Sequence, residues 1–225
     1  EPAADAADGT LLGKRYTDPD ETIELLASAP QGVLRISAVP SVAALTYPSV
    51  ARFTSSHYPG LKVEMRDADT SQVIETLVQG WADIGIASAR HSLNGIETSP
   101  LFSDQFGLLV SESNPLAQGH PPVTVEDVFR TPFLRNALCD HIQTPEIQDY
   151  LSGIDVSVYN TQSLLAMVRE GDWATLLPYS AVRLAHTGLS FCPVSGLSDS
   201  RQVFLYVRQK PSSPEAVTAW VEHSP

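Results

Sequence analysis

The sequence predicts an α/β fold in which two lobes, each built from alternating strands and helices, enclose a cleft. From Val33 onward, short apolar segments alternate with amphipathic ones, which is typical of βαβ units. Two such units of about ninety residues follow one another, and the carboxyl terminus can complete one of them. Hydrophobic residues make up 43% of the chain and charged residues 18%, so a packed core is expected.

Residues 1–31 differ from the rest because they are rich in Ala and Asp. Asp18 can cap a helix that has Pro19 at its first position, which predicts a short helix over residues 19–28.

The first αβ unit begins after Gly32, and its strands are expected to be parallel. Asp69 and Ser71 can cap its second helix, and Gly80 can end it. In its first helical segment, Pro48 is expected to begin or kink the helix. Strands are predicted at residues 33–39, 61–65 and 82–87, and helical segments at residues 42–53 and 71–79.

The second unit begins with a strand and contains shorter elements, among them a helix that the capping box of Thr124 and Asp127 predicts. Strands are predicted at residues 106–110, 132–134, 156–158, 174–177, 189–193 and 203–207, and further helices at residues 145–151 and 161–170, after Pro178, and at residues 213–222.

The charge balance excludes one class of function for this chain. It has 14 basic and 26 acidic side chains, a formal net charge of −12, whereas a surface that binds nucleic acid needs clustered Lys and Arg. No apolar run approaches the roughly 20 residues that span a bilayer, and the amino end lacks the pattern of a signal peptide. No membrane association is therefore expected.

Cysteine and histidine spacing predicts neither a disulfide nor a metal site. Cys139 and Cys192 fit no ligand pattern and are expected to be reduced and packed, as in the cytoplasm. The six histidines stand singly. The chain also lacks a GxSxG elbow, a GxxxxGK[ST] loop and a GxGxxG turn. Neither cofactor, metal nor catalytic activity is expected.

Several segments, in their order and spacing, together resemble the effector-binding domain of a LysR-type bacterial transcriptional regulator. They cover roughly 190 residues, and each alone is weak. They are residues 32–36 with Pro40 and Ser41, Pro48 with Arg52 and Phe53, residues 58–60 with Val63, residues 77–86, Pro100 and Leu101 with Asp104, residues 114–117, Pro132 and Phe133, residues 168–171 and residues 176–178.

The resemblance implies two Rossmann-like lobes of the type-2 periplasmic-binding-protein kind, joined by two crossover strands. Lobe I would comprise residues 32–103 and 196–225, lobe II residues 104–195, and residues 1–31 would be the remnant of a linker helix. A small-molecule effector would bind in the cleft. DNA would be bound only by an amino-terminal winged helix-turn-helix that this chain lacks. A homodimer using the helix around residues 44–57 and a helix of the other lobe is implied, and a tetramer at full length.

Two positions depart from the family pattern. Pro19 should interrupt a linker that is usually one long helix. Gly171-Asp172-Trp173 stands where the family usually has Gly-x-Gly followed by an aliphatic residue, so the indole should change the edge of the cleft or its packing.

Lobe I supplies most of the candidate effector contacts, because ligands of open αβ sheets bind beyond the carboxyl ends of the strands. Hydroxyl groups there can bind a carboxylate or sulfate, although helix capping is the alternative, equally weighted for Ser71. The resemblance favours ligand contact for Ser41 and Thr70. The candidates are Val39, Pro40, Ser41 and Val42 after the first strand, Asp69, Thr70 and Ser71 after the second, and Ser88 after the third.

Lobe II supplies Arg135, Asn136 and Thr161 as candidates. An arginine can hold a carboxylate through two hydrogen bonds, but a surface arginine paired with an acidic residue is the alternative. Cys139 lies near the reactive thiol of peroxide-sensing members. Gln148 stands where the resolving cysteine would be, so redox sensing is not expected.

The sequence thus predicts a non-enzymatic sensor of a small organic molecule that carries a carboxylate. A solute-binding protein that delivers a substrate to a transporter is the alternative, and an enzyme on the same fold is a third reading.

Overall fold

The computed structural model describes residues 32–118, 122–184 and 187–223. The predicted helix at residues 19–28 and the linker assignment of residues 1–31 lie outside this part of the chain. Its helices are α1 (Pro40–His57), α2 (Thr70–Val78), α3 (Val125–Arg130), α4 (Pro145–Ser152), α5 (Thr161–Glu170) and α6 (Pro214–His223). Its strands are β1 (Gly32–Ala38), β2 (Leu61–Asp67), β3 (Ile84–Ala87), β4 (Ile96–Ser111), β5 (Val123–Thr124), β6 (Thr175–Pro178), β7 (Leu189–Cys192), β8 (Val194–Ser195) and β9 (Ser200–Arg208). Short 3₁₀ helices cover Pro115–Gln118, Ala137–His141 and Tyr179–Arg183.

The first unit has the predicted parallel strands. The main sheet runs in the order β2-β1-β3-β9-β4-β6, with β7 also paired to β4. β1 is parallel to both β2 and β3, and β9 is antiparallel to β3. The α/β fold with a βαβαβ first unit is therefore confirmed.

β4 and β9 are the two crossover strands. The first part of β4 pairs with β9, from Ile96 opposite Arg208 to Gln105 opposite Ser200. From Phe106 onward, β4 pairs instead with β6 and β7. One strand of 16 residues is therefore shared by both lobes, as the predicted fold requires.

The apolar core is divided in the same way. One cluster joins buried residues between Leu34 and Ala87 to those between Val203 and Trp220. Two further clusters contain buried residues between Phe106 and Val194. This division agrees with two lobes, whereas the exact boundaries at residues 103/104 and 195/196 stay a prediction.

Several predicted elements differ from those observed. α1 begins at Pro40 rather than at Pro48, because Pro40 occupies the first helical turn, where its missing N–H is not needed. Pro48 is exposed inside α1, so water can reach the carbonyl that it leaves without a helical partner. The helix predicted after Pro178 is a 3₁₀ turn. The predicted strands at residues 132–134 and 156–158 contribute only isolated bridges, at Phe133 and between Arg135 and Ser157.

Trp173 lies in the packing of lobe II. Its indole packs against the cluster that contains Leu164 and Val168. A Cβ added to Gly171 would lie only 2.8 Å from Cδ1 of Trp173. The glycine therefore makes room for the indole that departs from the family pattern.

Candidate functional site

A buried ion pair lies where the two crossover strands meet. Asp104 on β4 and Arg201 on β9 are opposite each other in the register, and Arg201 Nη2 lies 2.8 Å from Asp104 Oδ2. The side chain of Arg201 is 0% exposed and that of Asp104 is 4% exposed. A charged pair so far from water depends on further hydrogen bonds to its polar atoms.

Three serine hydroxyls supply such hydrogen bonds. Arg201 Nη2 donates to Ser41 Oγ at 3.0 Å and to Ser180 Oγ at 2.8 Å. Arg201 Nη1 donates to Ser88 Oγ at 3.3 Å. The backbone N–H of Ser180 in turn donates to Asp104 Oδ1 at 3.1 Å. We call these five residues the hinge cluster.

The hinge cluster joins elements from both lobes. Ser41 is the second residue of α1 and Ser88 follows β3, so both lie at the carboxyl edge of the parallel strands. Ser180 belongs to the 3₁₀ helix that follows β6, and that helix packs against α1. A change in the angle between the lobes would therefore alter the hydrogen bonds of Arg201.

Arg201 also determines what the serines can offer a ligand. A guanidinium has no acceptor, so each serine oxygen must accept from it. The hydroxyl hydrogens of Ser41 and Ser88 then remain available as donors. Hydroxyl donors suit an anion that accepts hydrogen bonds, such as a carboxylate.

The structure brings together the predicted residues Ser41, Thr70 and Ser88. Thr70 Oγ1 accepts a hydrogen bond of 3.4 Å from the backbone N–H of Ser88. Asp69 caps α2 by accepting from the N–H of Gln72 at 2.9 Å, so capping is its observed role. Ser71, in the first turn of α2, is exposed.

The three other candidates after β1 shape the backbone. Pro40 is at the first position of α1. Val39 donates its N–H to Ile86 O at 3.0 Å, and the side chains of Val39 and Val42 are buried in the core of lobe I. Their side chains are thus occupied by packing.

The lobe II candidates are held by other partners. Arg135 forms an ion pair with Asp140, the alternative that the sequence left open. The amide of Asn136 donates to Thr175 Oγ1 at 2.9 Å and to Leu176 O at 3.0 Å, and its oxygen accepts from the N–H of Leu138. Thr161 is the half-buried first residue of α5. Within the described residues, none of the three is hydrogen-bonded to the hinge cluster.

Sequence reasoning missed Arg201 and Ser180 and did not assign Asp104 to the site. A signal was present in β9, where Arg201 shares the inward face with Val203 and Leu205, all of them buried. An arginine at an inward position of a strand needs a buried partner.

His141 is close enough to Arg201 for the charge of the guanidinium to act on its imidazole. Burial lowers the pKa of its imidazole, and the nearby charge of Arg201 lowers it further, while Asp140 opposes the shift. The neutral imidazole is favoured, which avoids a second positive charge beside Arg201.

The two cysteines are free and buried, as expected. Burial raises the pKa of the Cys139 thiol to about 11 and also raises the pKa of Cys192. A protonated, buried thiol is a poor nucleophile. In the part of the chain that the structure describes, no group of three or more His, Cys, Asp or Glu residues could hold a metal ion, and no helix is long and apolar enough to cross a membrane.

Comparisons with known proteins agree with the fold. A family model described as the LysR substrate binding domain matches residues 27–224. A probable hydrogen peroxide-inducible genes activator from Streptomyces viridosporus is 25% identical over 173 residues, which are 74% of this chain and 55% of that protein. The transcriptional regulator AlsR of Bacillus subtilis is 27% identical over 180 residues, 76% of this chain and 59% of that protein. This chain therefore spans somewhat more than half the length of these relatives.

Solved structures of regulatory domains share the fold. The reduced OxyR regulatory domain from Pseudomonas aeruginosa has a TM-score of 0.69 at 18% identity, covering 85% of this chain and 96% of that one. The BenM effector-binding domain with its effector benzoate has a TM-score of 0.62 at 20% identity, covering 84% of this chain and 92% of that one.

Proposed function

Because the chain belongs to the LysR substrate-binding domain family, we propose that it is the effector-sensing part of a transcription regulator and that its effector is a small organic carboxylate. The family consists of transcription regulators rather than enzymes. The observation that carries the proposal is the hinge cluster, in which a fully buried arginine is surrounded by hydroxyl groups from two lobes.

Chemistry favours an anion as the effector. The helix N-termini beginning at Pro40 and Thr70 favour negative charge at the carboxyl edge of the parallel strands, where the hydroxyl groups of Ser41 and Ser88 can donate hydrogen bonds. The carboxylate of Asp104 already accepts from Arg201 and Ser180. It is therefore compensated and opposes an incoming anion less than a free carboxylate would.

Regulation would follow from competition for the same groups. A carboxylate that accepts from Ser41, Thr70 and Ser88 changes the partners of Arg201, which also holds Ser180 of the other lobe. Such a ligand has different affinities for different lobe arrangements, which is the requirement for shifting their populations. Ser71, Arg135 and Thr161 are proposed as further contacts at the edges of the cleft.

The proposed partners follow the family. The whole protein would form a homodimer, or a tetramer at full length, and would bind DNA through an amino-terminal domain. Benzoate in BenM is an example of a small carboxylate effector in a domain of the same fold.

The test is a thermal-shift screen of the chain against aliphatic and aromatic carboxylates, benzoate included, each paired with its uncharged amide. We expect at least one carboxylate to raise Tm while its amide does not. Calorimetry should then show that Ser41→Ala and Thr70→Ala each weaken binding roughly tenfold to a hundredfold, since each removes one hydrogen bond to a charged group.

Ser152→Ala is the matched control, because Ser152 is an exposed serine on α4. It should leave the affinity unchanged. Equal affinity of the wild type, Ser41→Ala and Thr70→Ala for an identified effector would refute the proposed site.

A further inference from the structure

A second concave site lies on lobe I, away from the hinge cluster. It is a groove of about 660 Å³ between the carboxyl end of α2, the segment 92–96 and the segment 208–210 that ends β9. This volume is within the range of roughly 300 to 1,000 Å³ typical of pockets for small molecules. We call it the α2–β9 groove.

The α2–β9 groove is remote from the cleft. Arg208, which lines it, is opposite Ile96 in the sheet register, whereas Arg201 is opposite Asp104. Seven residues of extended strand separate the two arginines, or about 23 Å at the usual rise per residue. β9 is antiparallel to β3, so Arg208 lies beside the first residues of β3, whereas Ser88 directly follows its last residue. The groove and the hinge cluster are therefore at opposite ends of β3.

Part of the groove wall is apolar. Leu77 is fully buried beneath it, and Leu93 and Ile96 are half-buried. Val78, the last residue of α2, has 57% of its surface exposed, which is high for an aliphatic side chain. The groove thus offers apolar surface to a ligand.

The polar part of the wall is basic. Arg208 and Lys210 line the groove, and no Asp or Glu does. Within the described residues, neither of these side chains forms an ion pair or a side-chain hydrogen bond. Two unpaired cations facing one concave surface are notable in a chain with 14 basic and 26 acidic residues. Anions are therefore favoured over cations or neutral ligands.

Two glycines leave space at the α2–β9 groove because they have no side chains. Gly80 has a φ of +77°, and a Cβ there would lie 3.0 Å from Nη1 of Arg208. A side chain at this position would therefore crowd the guanidinium. Gly95, with a φ of +74°, lines the groove and has nothing within 4 Å of the place of its missing Cβ. Both glycines adopt conformations that other residues rarely adopt.

The buried carboxylate of Asp83, a residue that contacts Arg208 through its backbone, is directed elsewhere. Asp83 accepts hydrogen bonds from the N–H groups of Arg35 and Ser212. Only its backbone carbonyl meets Arg208, through the N–H of that residue. The guanidinium of Arg208 is therefore not neutralised by Asp83.

We propose that the α2–β9 groove is a binding site for a small organic anion with an apolar body, such as a medium-chain carboxylate. The anionic group contacts Arg208 and Lys210, and the apolar body covers Val78, Leu93 and Ile96. This site is separate from the effector site proposed in the cleft.

The test uses octanoate as the probe, titrated into the 225-residue chain by calorimetry, with acetate and 1-octanol as comparisons. We expect octanoate to bind more tightly than either, because acetate lacks the apolar body and 1-octanol lacks the charge. Arg208→Gln and Val78→Asp should each weaken octanoate binding roughly tenfold, since a hydrogen bond between charged groups is lost or a repulsive charge is added.

Matched controls are Arg130→Gln and Val156→Asp, which change an exposed arginine on α3 and an exposed valine of lobe II. Circular dichroism and Tm should show that these four variants and Ser41→Ala are folded. The controls should bind octanoate as the wild type does, and so should Ser41→Ala, which alters the cleft alone.

Three results would overturn the proposal. One is no octanoate binding at millimolar concentration. The second is equal binding by the wild type, Arg208→Gln and Val78→Asp. The third is binding that Ser41→Ala abolishes and Arg208→Gln does not, which would assign octanoate to the cleft and would support the effector site instead.

Discussion

Arg201 carries its charge where water does not reach it, and its hydrogen bonds are unevenly distributed. Nη2 has three acceptors, from Ser41, Asp104 and Ser180, although it has only two hydrogens to donate. Nε is buried and has no partner among the described residues. Such a side chain is sensitive to the removal of any partner, because an uncompensated buried charge is costly.

Replacing Arg201 should therefore strongly destabilise the fold. Arg201→Met leaves the carboxylate of Asp104 buried without its cation, and we expect a loss of about 3 to 5 kcal/mol in the free energy of unfolding. Chemical denaturation followed by circular dichroism measures this loss. Arg130→Met, at an exposed arginine, is the control, and a loss below about 1 kcal/mol for Arg201→Met would contradict the expectation.

The Cys139 thiol should make stability depend on pH in alkaline solution. Its pKa is raised by burial from 9.0 to about 11, so the folded state keeps a proton that the unfolded chain loses. The contribution is present below pH 9 and is lost as the pH rises towards 11, by about 2 to 3 kcal/mol. Denaturation at pH 8 and pH 11 should show a smaller loss in Cys139→Ala than in the wild type; equal losses would contradict the raised pKa.

At the scale of elements, α2 packs directly on β3 because Gly85 has no side chain. A Cβ added to Gly85 would lie 2.4 Å from Cδ1 of Leu77 and 3.1 Å from Cγ1 of Val73. Both contacts are with the buried face of α2. The position of α2, and of Thr70 at its start, therefore depends on this glycine.

Gly85→Ala should push α2 away from the sheet. We expect it to lower the free energy of unfolding by about 1 to 3 kcal/mol, the usual cost of overpacking a core. Leu77→Val in the same chain should recover part of the loss, which a comparison of the single and double variants by denaturation would show. Gly153→Ala is the control, because a Cβ there meets only Tyr150 O, at 3.6 Å.

The capping box at the start of α3 also depends on a single pair of side chains. The hydroxyl and N–H of Thr124 both donate to Asp127 and hold the pKa of that carboxyl below its usual 3.8. A depressed pKa in the folded state contributes stability above about pH 4 that is lost as the pH falls. Asp127→Asn should therefore flatten the decrease in stability between pH 4 and pH 3, as measured by urea denaturation; an unchanged slope would contradict the capping role.

For the whole molecule, the proposed dimer would place α1 of one subunit against a lobe II helix of its partner. The exposed face of α1 is formed by small and polar residues, among them Ala51 and Ser55, and α5 exposes Ala166 and Met167. Ala51 and Ser55 on α1 and Ala166 on α5 are small, and two helices can approach closely at such residues, which favours α5 as the second helix.

We expect sedimentation velocity to show a dimer that added charge disrupts. Ala51→Glu and Ala166→Glu should each shift the chain towards monomer, because each would bury a carboxylate in the interface. Ser152→Glu on α4 adds the same charge at another exposed site and should leave the dimer intact. A dimer unaffected by both Ala51→Glu and Ala166→Glu would exclude this interface.

The elements that were predicted correctly are those that local sequence patterns determine. Residues 161–170 were predicted as a helix and form α5 with the same bounds, because capping and spacing act within one turn. The first half of β4 was missed, since Glu97, Ser99 and Pro100 are exposed and give no apolar alternation. Its strand conformation comes from pairing with β9, about a hundred residues later in the chain.

The sequence by itself determined the α/β class, the parallel first unit, the reduced cysteines and the family, because these depend on periodicity, spacing and residue type. It also indicated Ser41, Thr70 and Ser88, which follow strands of one sheet edge. Only the tertiary structure decided that Arg201 meets Asp104, Ser41, Ser88 and Ser180, and that Asn136 is used for packing lobe II. These contacts join residues as many as 160 positions apart, so they depend on how the strands cross over, which no local pattern of residues records.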